Sequence, residues 1–146
     1  MKITKQSKEL YQQASDKLSL INQTWQKAET DTASFMICHS VKECMNDLLN
    51  CYLLMKKGKP VSSKNLGDLV NQCAALDERF KQIDLRWLNC KEHDLETAGD
   101  VFCTSIQRIQ ICTWIANGIK KVVDSEIKKI TVLLTALLPY FSLIEL

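Results

Sequence analysis

Glycine and proline are scarce, with four and two respectively in 146 residues. All-β domains consume both in turns, so the shortage argues against them and points to long helices with few connections. An excess of one charge sign is also lacking. Nineteen Lys and Arg against seventeen Asp and Glu leave a net charge of +2, which by itself predicts no polyanion binding. No Cys-x-x-Cys pair occurs, and the seven cysteines are an odd number. Cys38, Cys44, Cys51, Cys73, Cys103 and Cys112 fall on or beside apolar positions of helix-period segments, and only Cys90 sits in a polar stretch. Small buried hydrophobes in a reducing cytoplasm are therefore expected, rather than a disulfide framework or a zinc site. Gly-rich phosphate loops, HExxH and GxSxG are absent, which disfavours the enzyme classes built on them.

What is present suits one soluble all-α domain spanning 1–146. The apolar fraction of 46% with 25% charged is ordinary for a globular protein of this length. No apolar core follows the lysines of Met1–Glu9, so a signal peptide is not expected. Ile130 to Ile144 carries no charge. The run is shorter than the ~18–20 residues of a spanning helix, and Pro139 interrupts it. No membrane span is expected there, but a terminal helix buried in its own chain or covered by a partner.

Apolar spacing of three or four sets out the helices. A first helix from about Thr4 to Glu29 carries Leu10, Ala14, Leu18, Ile21 and Trp25 on one stripe. A second, from about Ala33 to Lys57, has a broader stripe through Phe35, Cys38, Val41, Met45, Leu48, Leu49, Tyr52 and Met55, as a central helix would. Gly58 ends it, after Lys56 and Lys57 in the last turn. Ser62 or Ser63 is placed to cap a third helix from about Lys64 to Ile83. A fourth opens at Asp94 or Thr97 and runs to Val123, with Gly118 its weak point. Glu126 to Leu138 reads as a fifth helix or a continuation. The expected architecture is an up-and-down antiparallel bundle of four to five helices.

One residue pairing could do chemistry. Arg86 and His93 would place an always-charged guanidinium near an imidazole of ordinary pKa about 6.5. Such a pair suits metal-independent phosphodiester cleavage, with His93 moving the proton and Arg86 stabilising charge on phosphorus. The plainer alternative has Arg86 pairing with Asp84 or Glu92 at the surface. His39 reads as a core-edge histidine with a polar partner, and no metal site is expected. Lys56, Lys57, Lys59 and Lys64 form one basic group, and Lys120, Lys121, Lys128 and Lys129 a second. Neither has aromatic residues interleaved for stacking single strands, and each suits a solvated surface.

The order of these features resembles the HEPN superfamily (higher eukaryotes and prokaryotes nucleotide-binding). Phe35 to Met55 followed by Lys-Lys-Gly58 is similar to that superfamily's second helix and basic loop. Asn65-Leu-Gly-Asp-Leu-Val70 is similar to the start of its third helix, and Arg86-Trp87 falls where members place an Arg before the long last core helix. The likeness covers about 33–123 and leaves 124–146 as an apolar extension. It implies an all-α homodimer without a cofactor, and a module that binds a partner protein or a nucleotide. Lys57, Lys59 and Lys64 are the nucleotide- or RNA-binding candidates, and a nucleotidyltransferase-type protein is the implied partner. Toxin-type ribonuclease members carry an Arg and a His near the start of the last core helix, which implies a catalytic Arg86/His93 pair as the alternative. They usually place a polar residue after the Arg, where this chain has Trp87. That departure favours the non-catalytic reading.

Overall fold

The computed structural model describes residues 2–26, 31–59, 61, 65–88 and 106–144, with the side chains of 26, 31–36 and 140–144 outside that description. It is an all-α bundle, with four α-helices among the described residues: α1 (Lys5–Gln26), α2 (Asp31–Lys57), α3 (Leu66–Ala74) and α4 (Ile106–Ile144). Two short 3-10 helices, Glu78–Gln82 and Leu85–Trp87, lie between α3 and α4. We call the segment 77–88 the strap.

The broad stripe of α2 makes it the centre of the bundle. Val41, Cys44, Leu48, Leu49, Cys51, Tyr52 and Leu53 are all fully buried, against Ala14, Leu18 and Ile21 of α1 and Ile109, Ala116, Ile119 and Val123 of α4. The direction of α1 follows from hydrogen bonds. Cys44 Sγ donates to the carbonyl of Ala14 and Cys51 Sγ to that of Ser7, so numbers rise on one helix as they fall on the other. The same opposition relates α1 to α4, where Tyr11 bonds Asp124 and Trp25 bonds Thr113. Helices α2 and α4 consequently run in the same direction.

Burial pushes the thiols of Cys44, Cys51 and Cys73 up to about 12, which suits packing rather than reactivity. Cys38 is buried too, and Cys112 half-buried. Cys90 and Cys103 lie outside the described residues.

One helix boundary differs from the expected ones, and the open choice between a fifth helix and a continuation is decided. Gly58, at φ +73°, ends α2 where expected, because this left-handed conformation is easy only for glycine. Helix α3, however, starts at the Asn65 cap and stops at Ala74 instead of running to Ile83. The amides of Leu76 and Asp77 both turn back onto the Cys73 carbonyl, and Asp77 then caps a new 3-10 turn by accepting from Arg79 N. Apolar periodicity continues through this break because Phe80 and Ile83 still face the core; the backbone does not.

Helix α4 passes through Gly118, Asp124-Ser125 and Pro139 without interruption. Asp124 directs its carboxylate sideways to Tyr11 and Lys120 and so does not cap a new helix. The stretch Asp94 to Ser105, where the sequence pattern opens this helix, lies outside the described residues.

Candidate functional site

The strap lies along α4, and two Asp-x-Arg units fix its course. Asp77 accepts the backbone N–H of Arg79 at 2.9 Å, and Asp84 that of Arg86 at 3.0 Å. Each Asp also holds its own Arg side chain, with Nη2 to Oδ2 at 2.7 Å in the first unit and 2.8 Å in the second.

The first unit is part of a larger cluster. Arg79 Nη2 also reaches Glu126 Oε1 on α4 at 2.6 Å. Lys56 of α2 reaches Glu126 Oε2 at 3.2 Å, and Lys129 approaches Oε1 at 3.3 Å. The Glu126 side chain is only 4% exposed. Burial pushes its carboxyl up, yet the bonds and charges of Lys56, Lys129 and Arg79 carry it below its ordinary value. Asp77 is held down at about 2, chiefly by the hydrogen bond from the Arg79 side chain. The Tyr52 hydroxyl donates to Asp77 at 3.4 Å, and its ring meets Phe80 edge-on at a centroid distance of 4.8 Å. Burial, ahead of the nearby carboxylates, pushes the phenol up.

The second unit stands at the other end of the strap. Arg86 has a side chain 90% exposed, and its guanidinium is engaged by Asp84. This is the plainer pairing that the sequence offered. Arg108 of α4 donates to the Arg86 carbonyl at 3.3 Å and lies 5.3 Å from the centre of the Trp87 ring.

Between the two units, strap and α4 enclose an open groove of about 480 Å³. Ile83, Trp87, Ile111, Trp114, Ile115 and Val122 supply apolar walls, with Arg79 and Lys121 at its edge. Trp114 is 77% exposed, the most exposed large apolar side chain among the described residues. At Gly118, on the groove wall, a Cβ would meet nothing within 4 Å.

Among the described residues, the expected site residues Arg86, Lys57 and Lys59 stand apart. Arg86 lies beside Arg108, whereas Lys57 and Lys59 follow Lys56 at the level of Glu126. Those two levels of α4 are about 27 Å apart at 1.5 Å per residue. Lys57 and Lys59 are exposed, Lys57 within 3.5 Å of Gln72. His93 and Lys64 lie outside the described residues. His39 is half-exposed and pairs with Glu43 one turn on, at 2.9 Å. No group of three His, Cys, Asp or Glu fit to hold a metal occurs among the described residues.

What the structure does bring together are the two basic groups. Glu126 bonds Lys56 from one and Lys129 from the other. Sequence reasoning missed this acid, although it falls in the buried register Ile119, Val123, Glu126, Ile130 and so signals a paired charge.

Comparison of the chain with protein-family models, with curated proteins and with solved structures finds no match.

Proposed function

We propose that the chain is a non-catalytic, HEPN-like helical interaction module that works as a homodimer and binds a partner protein through the groove between strap and α4. The observation that carries this reading is the exposed Trp114 over an apolar groove of about 480 Å³. Exposed aromatic residues at apolar concave surfaces are favoured anchors of protein interfaces. A nucleotide fits less well, because the groove is mainly apolar and Lys57 and Lys59 lie far along α4 from Arg86. The reading places the protein in the cytoplasm, and a nucleotidyltransferase-type protein is the partner class to test first.

Light scattering of the purified chain tests the assembly. The wild type should elute as a dimer, and Trp114→Glu should keep its helicity and lose the partner protein. A wild-type monomer would remove the dimer, and a partner bound equally by Trp114→Glu would remove the groove.

The alternative is a metal-independent ribonuclease of the HEPN toxin type using Arg86 and His93. Its support is the exposure of Arg86 and the approach of Arg108, which together gather positive charge at one end of the strap. Cleavage of an RNA pool in chelator, lost in both Arg86→Ala and His93→Ala, would put this alternative first. An inactive wild type would retire it.

A further inference from the structure

The last turns of α4 leave the bundle. Ile130 is buried, but every residue from 131 to 139 is exposed. Val132, Leu133, Leu134, Leu137 and Leu138 are between 38% and 61% exposed. At 3.6 residues per turn these five cover about 240° of the helix circumference. The remaining arc holds Thr131, Thr135 and Pro139. Both threonine hydroxyls donate back into the helix, Thr131 to the Ile127 carbonyl at 3.0 Å and Thr135 to the Thr131 carbonyl at 2.8 Å. Their hydrogens are thus already used, so this arc presents methyl groups and no free hydroxyl donor, and apolar side chains dominate the circumference.

The end of the bundle from which the segment emerges is basic. Lys2 N donates to the Met55 carbonyl at 3.1 Å, which brings the start of the chain to the end of α2. Glu126 binds Lys56 and Lys129 together and so joins the end of α2 to α4. Lys2, Lys5, Lys57, Lys59, Lys128 and Lys129 are all exposed there. The nearby exposed carboxylates are Glu9, one turn along α1 from Lys5, Asp68, which accepts from Gln72, and Glu78, 3.8 Å from Lys81.

We infer that this end of the molecule docks on an anionic lipid bilayer, with the apolar end of α4 inserted among the acyl chains and the lysines against the lipid phosphates. A partner helix covers one stripe of the helix it meets, whereas acyl chains cover the whole circumference. Apolar insertion and a polybasic surface are the two signals that together hold a protein at a membrane. A second copy fits less well, because pairing these ends would bring two sets of lysines together. No described helix is long and apolar enough to cross a membrane. Insertion needs less: Ile130 to Ile144 extends about 21 Å as a helix, against a hydrocarbon core of about 30 Å. Docking at this end does not depend on the groove.

The test is flotation of the full chain with vesicles of phosphatidylcholine alone, or of phosphatidylcholine mixed with phosphatidylserine. Binding is expected only to the anionic vesicles and should weaken with salt. Leu133→Asp and Leu138→Asp lie about 140° apart around the helix, and each alone should abolish binding. Replacing Lys57, Lys59 and Lys128 by Gln should weaken it roughly fivefold per lysine, with unchanged helicity in every variant. A folded wild type that ignores anionic vesicles overturns the inference. So does binding that survives both aspartates, or a vesicle-free dimer that either aspartate makes monomeric, which would assign the surface to a second copy.

Discussion

In Asp77-Glu-Arg79 and Asp84-Leu-Arg86 the same local device occurs twice in one strap. The carboxylate caps a 3-10 turn and clamps the guanidinium two residues on, with bond lengths that agree to about 0.1 Å. Their surroundings differ. Arg79 extends past its own Asp to a buried Glu126, so the local turn also ties strap to α4 and, through Lys56, to α2. Arg86 keeps its side chain in water beyond Asp84, and its turn meets α4 through its backbone carbonyl and the Trp87 ring. An ion pair set by local geometry becomes a tertiary anchor only where a third, buried charge completes it.

The largest expected effect comes from removing that third charge. Glu126→Ala leaves Arg79, Lys56 and Lys129 facing one another. It should destabilise the fold by about 3 kcal/mol, the low end for a broken buried pair because its cationic partners are partly exposed. Urea denaturation measures this, and an unchanged midpoint would make the two units equivalent.

Acid should distinguish the units next. Asp77 is held at about 2 in the fold, below its ordinary value near 3.9. A depressed carboxyl contributes stability that is fully present above the unfolded value and is lost as pH falls through the folded one. Glu126, also lowered, acts with the same sign. Midpoints measured between about pH 5 and pH 2 should therefore fall steadily in the wild type and less steeply in Asp77→Asn. Asp84 is lowered as well, by its hydrogen bonds from Arg86, but at the surface. Asp84→Asn should keep most of the wild-type acid limb, and a flattening equal to that of Asp77→Asn would contradict the comparison.

Gly118 probes whether the strap presses on α4 between the units. A Cβ at this position has open space around it to 4 Å. Gly118→Ala should therefore raise stability by about 0.5–1 kcal/mol through helix entropy alone. A thermal melt that falls instead would mean that the groove wall is closed. The smallest effect is expected from Arg86→Ala, which should leave the urea midpoint unmoved; a clear loss would give the second unit a tertiary role.

Much of this architecture was legible in the stripes. Val41 to Leu53 announced a central helix, and Gly58 its end. The break after Ala74 was not legible, because Phe80 and Ile83 keep the helical spacing of apolar residues while Asp77 diverts the backbone. The continuity of α4 was obscured by the opposite circumstance: Asp124, a capping residue by type, spends its oxygens on Tyr11 and Lys120. At the candidate site, the Asp84–Arg86 pair followed from proximity in the chain, as local pairs do. The Glu126 cluster joins three distant segments, and only an acid standing in an apolar register hinted at it. Trp114 gave no such hint, since a single off-stripe aromatic is equally compatible with solvent and with a groove.

The seam between α1 and α4 has a consequence for how the chain reaches this state. Tyr11 meets Asp124 across a separation of 113 residues, and Asn22 meets Asn117 across 95. Contacts so remote in sequence form only after a long loop has closed, whereas α1 and α2 are joined by a short connection and can pair early. During synthesis the α1–α2 hairpin is complete long before α4 exists, and the face of α2 destined for Ile109, Ala116 and Ile119 must wait uncovered. Helix α4 is therefore the late-made element that shields the first two.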